Sequence, residues 1–454
     1  MLKQKCKSPE FLISAAGLAV LAGIFLLWLA RTDVTLPGLT AAILSAALFA
    51  AVCLRFVPEW MHFWRSGVQA EAEAPGVEDR RTELAVFFAL LLLDAAILAA
   101  AFVFRRLLGY DETFAESLSF WTGTDSRHYL DIARDWYLSE GSIDRLVQLV
   151  FFPGYPIAIR LVNFVVGDYL YSGLLVSAFS FAGAGCMAYR LLRLDLPRGG
   201  ALRVIKYLCL LPGVFFFAAP MSESLFLLLC VSCVYCTRSG KWLLGCVLGA
   251  LAAFTRSLGV MLFVPLFFEA VAAFSREISA DKTAGKRLAA RIAGLLIIPL
   301  GFAAYCVINY LVSGDPFKFM QYQKEHWGQS FGWFFNTAAY QTELALTCAR
   351  DNPHNALGLW LPNLIACFGS LTAMLFAAKR LRPSYTAWFI AYFVVAVGAT
   401  WLLSAPRYLI ALLPVPLAFA LDTENPNADF ALSLICGAAG ILYFAAFVLR
   451  WQVW

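Results

Sequence analysis

Apolar residues fill most of this chain in blocks of roughly 15 to 30, separated by short polar interruptions. Runs of about 20 apolar residues cross a bilayer as helices, whereas membrane barrels alternate over strands of about ten, a pattern absent here. The blocks predict spans near 11–30, 38–55, 82–104, 169–190, 207–220, 223–237, 241–255, 257–273, 291–312, 357–378, 385–404, 406–421 and 429–449. The stretch "PGYPIAIRLVNFVVG" (153–167) is short for a crossing and reads as a re-entrant or interfacial helix. The expectation is an all-α polytopic membrane protein with about 11–14 transmembrane helices.

The interruptions sort by charge. The basic N-terminus "MLKQKCK", the segment Arg55 to Arg81, the cluster Arg190, Arg193, Arg198, Arg203 and Lys206, and the stretches "SREISADKTAGKRLAAR" and "AAKRLRPS" all fall on one side, which the positive-inside bias makes cytoplasmic. Opposite lie "PMSES" (220–224), "TRSLG" (255–259), "SAPRY" (404–408) and two long loops, 105–152 and 313–355. The first loop carries "SLSFWTG" and "HYLDIARDWYL", which read as amphipathic interfacial helices. His128, His326 and His354 share that face with Asp125.

Composition agrees: of 454 residues 61% are hydrophobic and 14% charged, against roughly 25% charged in soluble domains. The net charge of +5 is spread over many loops, which argues for topology and against nucleic acid binding. Most of the 12 cysteines lie in apolar segments, and "CVSCVYC" reads as small hydrophobes in a helix and not as a metal site. Phe11 to Ala30 is long enough to span and stays as an anchor. Two similar halves and a separate soluble domain are both missing from the pattern, so the chain reads as one membrane domain.

Carboxylate, cations and aromatics on one water–lipid boundary suit a lipid-linked substrate. Where a sugar is carried on a lipid phosphate, the leaving group needs positive charge and the acceptor hydroxyl needs a base. Asp125 supplies the base, and Arg256 and Arg407 supply cations able to grip phosphate in bidentate fashion. No paired carboxylates are required, because such a donor is already activated. A metal is not required either, although Asp125, Asp131 and His128 leave a divalent ion open.

The ordered motifs "TDSRHYLDIA", "FFPGYP", "PMSESLF", "AAFTRSLG" and "SAPRY" resemble the PIG-V-type mannosyltransferases and their prokaryotic relatives, within the GT-C superfamily of polyprenyl-phosphate-sugar-dependent membrane glycosyltransferases. The resemblance covers roughly 82–421 and leaves 1–81, two helices and a cytoplasmic loop, as an addition to a GT-C-like catalytic domain over 82–454. It implies an inverting mannosyl or hexosyl transfer from a polyprenyl- or dolichyl-phosphate donor to a lipid-linked or glycan acceptor. It also implies a multi-pass protein of a bacterial plasma membrane with its active site on the extracytoplasmic face. The other class considered is a transporter or lipid flippase, which repeated halves and polar groups near the midplane would favour.

Each residue carries a plainer reading beside the chemical one. Asp125 could cap the helix beginning near Ser126; the family has a tryptophan directly before this aspartate, where Thr124 stands here, so Asp131 stays open as an alternative base. His128 and Tyr129, in the same motif, are candidates for donor or acceptor binding. Arg256, between apolar runs, needs a partner, and both Glu223 and a donor phosphate qualify. Arg407 follows Pro406 into a helix start and could instead snorkel, while Tyr408 could belong to the aromatic belt. "FFPGYP" breaks a helix at the interface, with Tyr155 able to line a prenyl groove and Arg160 a further phosphate contact. Gln321, Lys324, His326 and Trp327 lie in a loop that reads as an amphipathic lid. Asp94, inside "LLLLDAAILAA", is an intramembrane carboxylate without an assigned partner.

Overall fold

The computed structural model describes residues 8–66, 77–138 and 140–453, and it is helical throughout, with a single isolated β-bridge between Phe331 and Ala399. Among the described residues eight helices are long and apolar enough to cross a membrane, and the shorter apolar helices Gly154–Val166, Trp242–Thr255 and Pro383–Val397 lie among them. The chain is an all-α polytopic membrane protein. The N-terminal "MLKQKCK" cluster and residues 67–76 of the Arg55 to Arg81 segment lie outside the described residues.

Basic residues gather at one end of the bundle, several of them paired with a carboxylate. Arg238, at the end of the helix Glu223–Arg238, pairs with Asp195 at 2.5 Å. Arg382, just before Pro383–Val397, holds Glu269 at 2.6 Å. Arg190 pairs with Glu83 and Arg193 with Asp79 at the start of Val77–Leu107.

Helix lengths measured from that end position the site. Glu223–Arg238 has 16 residues, Trp242–Thr255 has 14 and Pro383–Val397 has 15. At 1.5 Å per residue they reach about 21–24 Å, short of the roughly 30 Å hydrocarbon layer. Leu36–Ser66 and Val77–Leu107, with 31 residues each, run past them. Residues at the far ends of Trp242–Thr255 and Pro383–Val397, Thr255 and Ala396 among them, line one cavity.

Three predicted segments fold differently. The block 207–220 is not a separate span: the helix Arg198–Leu210 stops before Pro212 and Gly213, the latter at φ +97, and a 3-10 turn Val214–Phe217 follows. Proline removes a backbone donor and glycine takes the left-handed conformation, so the chain reverses. The block 406–421 is broken into Ala405–Ile410 and Pro414–Asp422 for a similar reason. The loop 313–355 contains the 18-residue helix Phe334–Asp351, beyond the short helix Lys318–Trp327. It dips into the bundle, where Phe334 packs 4.7 Å from Phe49 and 5.7 Å from Phe393. Its apolar face was masked in the sequence by the polar residues of the same stretch.

The first two helices join the same body. Trp28 Nε1 donates to Asn336 Oδ1 at 2.9 Å, Thr35 donates to Glu343, and Arg55 donates to the Leu375 carbonyl at 2.6 Å.

Candidate active site

Four breaks in the helical pattern converge on this cavity. The first is the turn before the helix Ser126–Asp135. Thr124 sits at φ +54, a region β-branched residues rarely enter. Arg450 fills the space beside Gly123, where an added Cβ would lie 2.1 Å from its Nη1, and donates to the Phe120 carbonyl at 2.8 Å. Asp125 occupies the N-cap position but makes no capping bond. Its carboxylate turns instead to Arg407, with Oδ2 2.6 Å from Nη2.

The second break, "PMSES", ends with Ser222 and Glu223 opening the helix Glu223–Arg238. The third, "TRSLG", leaves Arg256 in extended backbone between Trp242–Thr255 and the 3-10 helix Ser257–Leu262. Gly259 is required there, since a Cβ would meet the Ala253 nitrogen at 2.3 Å. The fourth, "SAPRY", is held by buried amides. Asn363 and Gln341 donate to the Leu402 carbonyl at 3.1 and 3.0 Å, and Asn363 Oδ1 accepts from the Ala405 amide at 2.8 Å. These bonds satisfy backbone groups that a helix would otherwise pair, as burial demands.

The charges interlock. Glu223 Oε1 lies 2.5 Å from Arg256 Nη1 and 3.1 Å from Arg407 Nε, while its Oε2 is buried without a hydrogen-bond partner among the described residues. Ser222 Oγ bridges Arg256 at 3.0 Å and the Tyr129 hydroxyl at 2.9 Å. Burial pushes the Tyr129 phenol above its ordinary range, so it serves as a neutral hydrogen-bonding group. Two arginines and two carboxylates thus balance in formal charge. Arg407 is shared between Asp125 and Glu223, and both it and Arg256 line the cavity.

That cavity holds about 210 Å³ and is lined by the polar residues Asp125, Tyr129, Arg256, Arg407 and Tyr408 together with the aromatics Phe151, Phe152 and Trp327. Two guanidinium groups and one carboxylate thus line a single cavity, a donor set of the kind that pairs with phosphate and takes up a hydroxyl proton. Among the described residues no three His, Cys, Asp or Glu side chains group so as to hold a metal ion.

Other predicted residues stand elsewhere. Asp131 is tied to Arg134 at 2.7 Å, with Arg127 and Arg145 at 3.9 Å, and does not line the cavity. His128 stacks on Phe151 at 4.7 Å. Tyr155 is buried, bonded to Ser177 and the Gly173 carbonyl, and packs edge-on against Tyr129 at 5.4 Å. Gly154 brings this segment against Thr255, next to Arg256. Arg160 donates to the Ala133 carbonyl at 2.7 Å and lies over Trp136, away from the cavity wall. Gln321 is exposed and bonded to Lys318 and Glu325, and Lys324 is exposed on the same helix. Gln323 and Gln329 reach the cavity in their place, one helical face around. His326 faces a neighbouring cavity across Trp327. Asp94 is buried in Val77–Leu107, its two oxygens without a hydrogen-bond partner among the described residues. Ser222 is the residue that sequence reasoning overlooked; its signal was its place in "PMSES", directly before Glu223.

No family model matches this chain, and no curated protein matches it. Among solved structures it is similar to ArnT from Cupriavidus metallidurans bound to undecaprenyl phosphate, at 16% identity and a TM-score of 0.46, over 71% of this chain and 61% of that one. It is also similar to the Archaeoglobus fulgidus oligosaccharyltransferase tethered with an acceptor peptide, at 12% identity and a TM-score of 0.42, over 82% of this chain and 55% of that one. The chain thus covers less than two thirds of each neighbour's length.

Proposed function

We propose that this protein is a membrane glycosyltransferase of the GT-C type that moves a hexosyl group, mannosyl by motif resemblance, from a polyprenyl-phosphate donor to a lipid-linked or glycan acceptor, with inversion. The observation that carries the reading is the meeting of Asp125, Arg407 and the Arg256–Glu223 pair around one cavity. Donor phosphate would draw Arg407 away from Asp125, and the released carboxylate would accept the proton of the attacking hydroxyl. The C–O bond to phosphate breaks as the new glycosidic bond forms, and the lipid phosphate leaves against Arg256 and Arg407 without needing an acid. By the positive-inside bias we assign the basic end of the bundle to the cytoplasm, a reading under which the cavity would face the extracytoplasmic side.

The test is transfer of radiolabelled mannose from synthetic polyprenyl-phosphate mannose to a membrane extract, comparing wild type with Asp125→Asn. Product from wild type alone supports the reading. Equal product from both removes Asp125 as base, and absence of both product and donor binding favours the transporter reading instead.

A further inference from the structure

A second cavity, of about 300 Å³, adjoins the first and shares two of its walls, Trp327 and Leu403. Its other lining residues are His326, Gly328, Thr400 and Trp401. The two spaces differ in chemistry: the first holds both arginines and Asp125, whereas the second has no charged carboxylate or guanidinium and is built around two indole rings and an imidazole.

Trp401 is unusually fixed for a residue that is 36% exposed. Tyr340 lies parallel to its ring at 5.5 Å and 13°, and Trp360 meets it at 5.3 Å and 73°. The backbone beside it is tied by Gln329 Nε2 to the Trp401 carbonyl at 2.7 Å and by the Ser330 amide to Thr400 Oγ1 at 2.8 Å. The Gly332 amide donates to the Gly398 carbonyl at 2.6 Å in the same small ladder. An indole held rigid by its own neighbours yet left open to a cavity binds at little cost in side-chain entropy.

Resting on the glycosyl-transfer reading, we infer that the Trp401 cavity is an acceptor subsite that takes a pyranose ring of a glycan against Trp401, with Trp327 dividing it from the donor. The C–H face of a pyranose carries weak positive charge and suits the negative face of an indole. Its ring hydroxyls find His326 at the rim. Because the cavity shares Trp327 and Leu403 with the first one, a hydroxyl projecting past Trp327 would enter the cavity that Asp125 and the two arginines line. The lining offers no lysine or arginine to a phosphate, whereas the first cavity offers two arginines.

The experiment uses the full chain in nanodiscs and a panel of methyl α- and β-glycosides of common hexoses and pentoses, observed by saturation-transfer difference NMR. Binding of polyprenyl phosphate is followed in parallel by native mass spectrometry. Wild type is expected to bind at least one glycoside, with the signal falling at least fivefold in Trp401→Ala and less in Trp401→Phe, while both variants keep polyprenyl phosphate binding. No glycoside binding by wild type, or equal binding by Trp401→Ala, would overturn the subsite. Loss of polyprenyl phosphate binding by wild type itself would instead strike the donor reading, with the glycoside result still judging the Trp401 cavity.

Discussion

Glu223 holds two arginines on one oxygen: its Oε1 stands 2.5 Å from Arg256 and 3.1 Å from Arg407, although the three residues come from three separate helix breaks. This carboxylate is 1% exposed, and both cations face it. Removing it by Glu223→Gln leaves two buried guanidinium groups against Asp125 alone. Breaking a buried pair from one side costs about 3–5 kcal/mol. The variant should lose that much stability in a denaturant or thermal assay, and Glu223→Gln combined with Arg256→Met should recover part of it. Simple addition of the two single-variant losses would mean that the pair is not coupled.

Arg407 answers to a different test, because its partner Asp125 is 20% exposed and lines the cavity. Arg407→Lys keeps the charge but loses the planar fork that spans Asp125 and Glu223. Transfer should fall about 10- to 100-fold, carried mainly by weaker donor binding, for a loss of about 1.4–2.7 kcal/mol. A fall in turnover with unchanged donor KM would place Arg407 on the acceptor or on Asp125 only. The parallel change Asp131→Asn should leave transfer within about twofold, since that carboxylate is engaged by Arg134 and is absent from the cavity wall.

The membrane character and the converging motifs were legible in the sequence because both follow from local rules: apolar run length on one hand, and polar residues that have no place in lipid on the other. Arg256 and Glu223 could be paired on topology alone, since each interrupts a helix on the same side. What the sequence hid was contact across the bundle. The helix Phe334–Asp351 mixes Gln341, Thr342 and Glu343 with its aromatics, so its insertion beside Phe49 rests on partners far along the chain. Likewise Gln323 and not Gln321 faces the cavity, a choice made by helix rotation that loop composition does not encode.

Tyr129 provides a check on acid–base roles. Burial raises its phenol above the ordinary value, so the group stays protonated across the working pH range and cannot be the base. Tyr129→Phe should remove the bond to Ser222 at about 1 kcal/mol of stability and leave the pH profile of transfer unshifted. A displaced basic limb in that variant would show that Tyr129 titrates during turnover.

The turn that presents Asp125 yields the last prediction. Gly123 has Arg450 packed where a side chain would be, and Thr124 follows at φ +54. In Gly123→Ala the new methyl displaces the Arg450 guanidinium, which then gives up its bond to the Phe120 carbonyl, a loss of about 1 kcal/mol. If Arg450 acts by holding this turn, Arg450→Ala should lower transfer by a similar factor, and Gly123→Ala added to Arg450→Ala should cost little more, because the clash is already gone. The relation is read from a double-mutant cycle in both melting temperature and transfer rate. Independent effects would mean that the added methyl disturbs the turn by a route other than Arg450 and that Arg450 only anchors the C-terminal segment. Thr124→Gly separates the two accounts: it relieves the left-handed strain, so stability should hold within about 1 kcal/mol, while transfer falls as the Asp125 turn loosens.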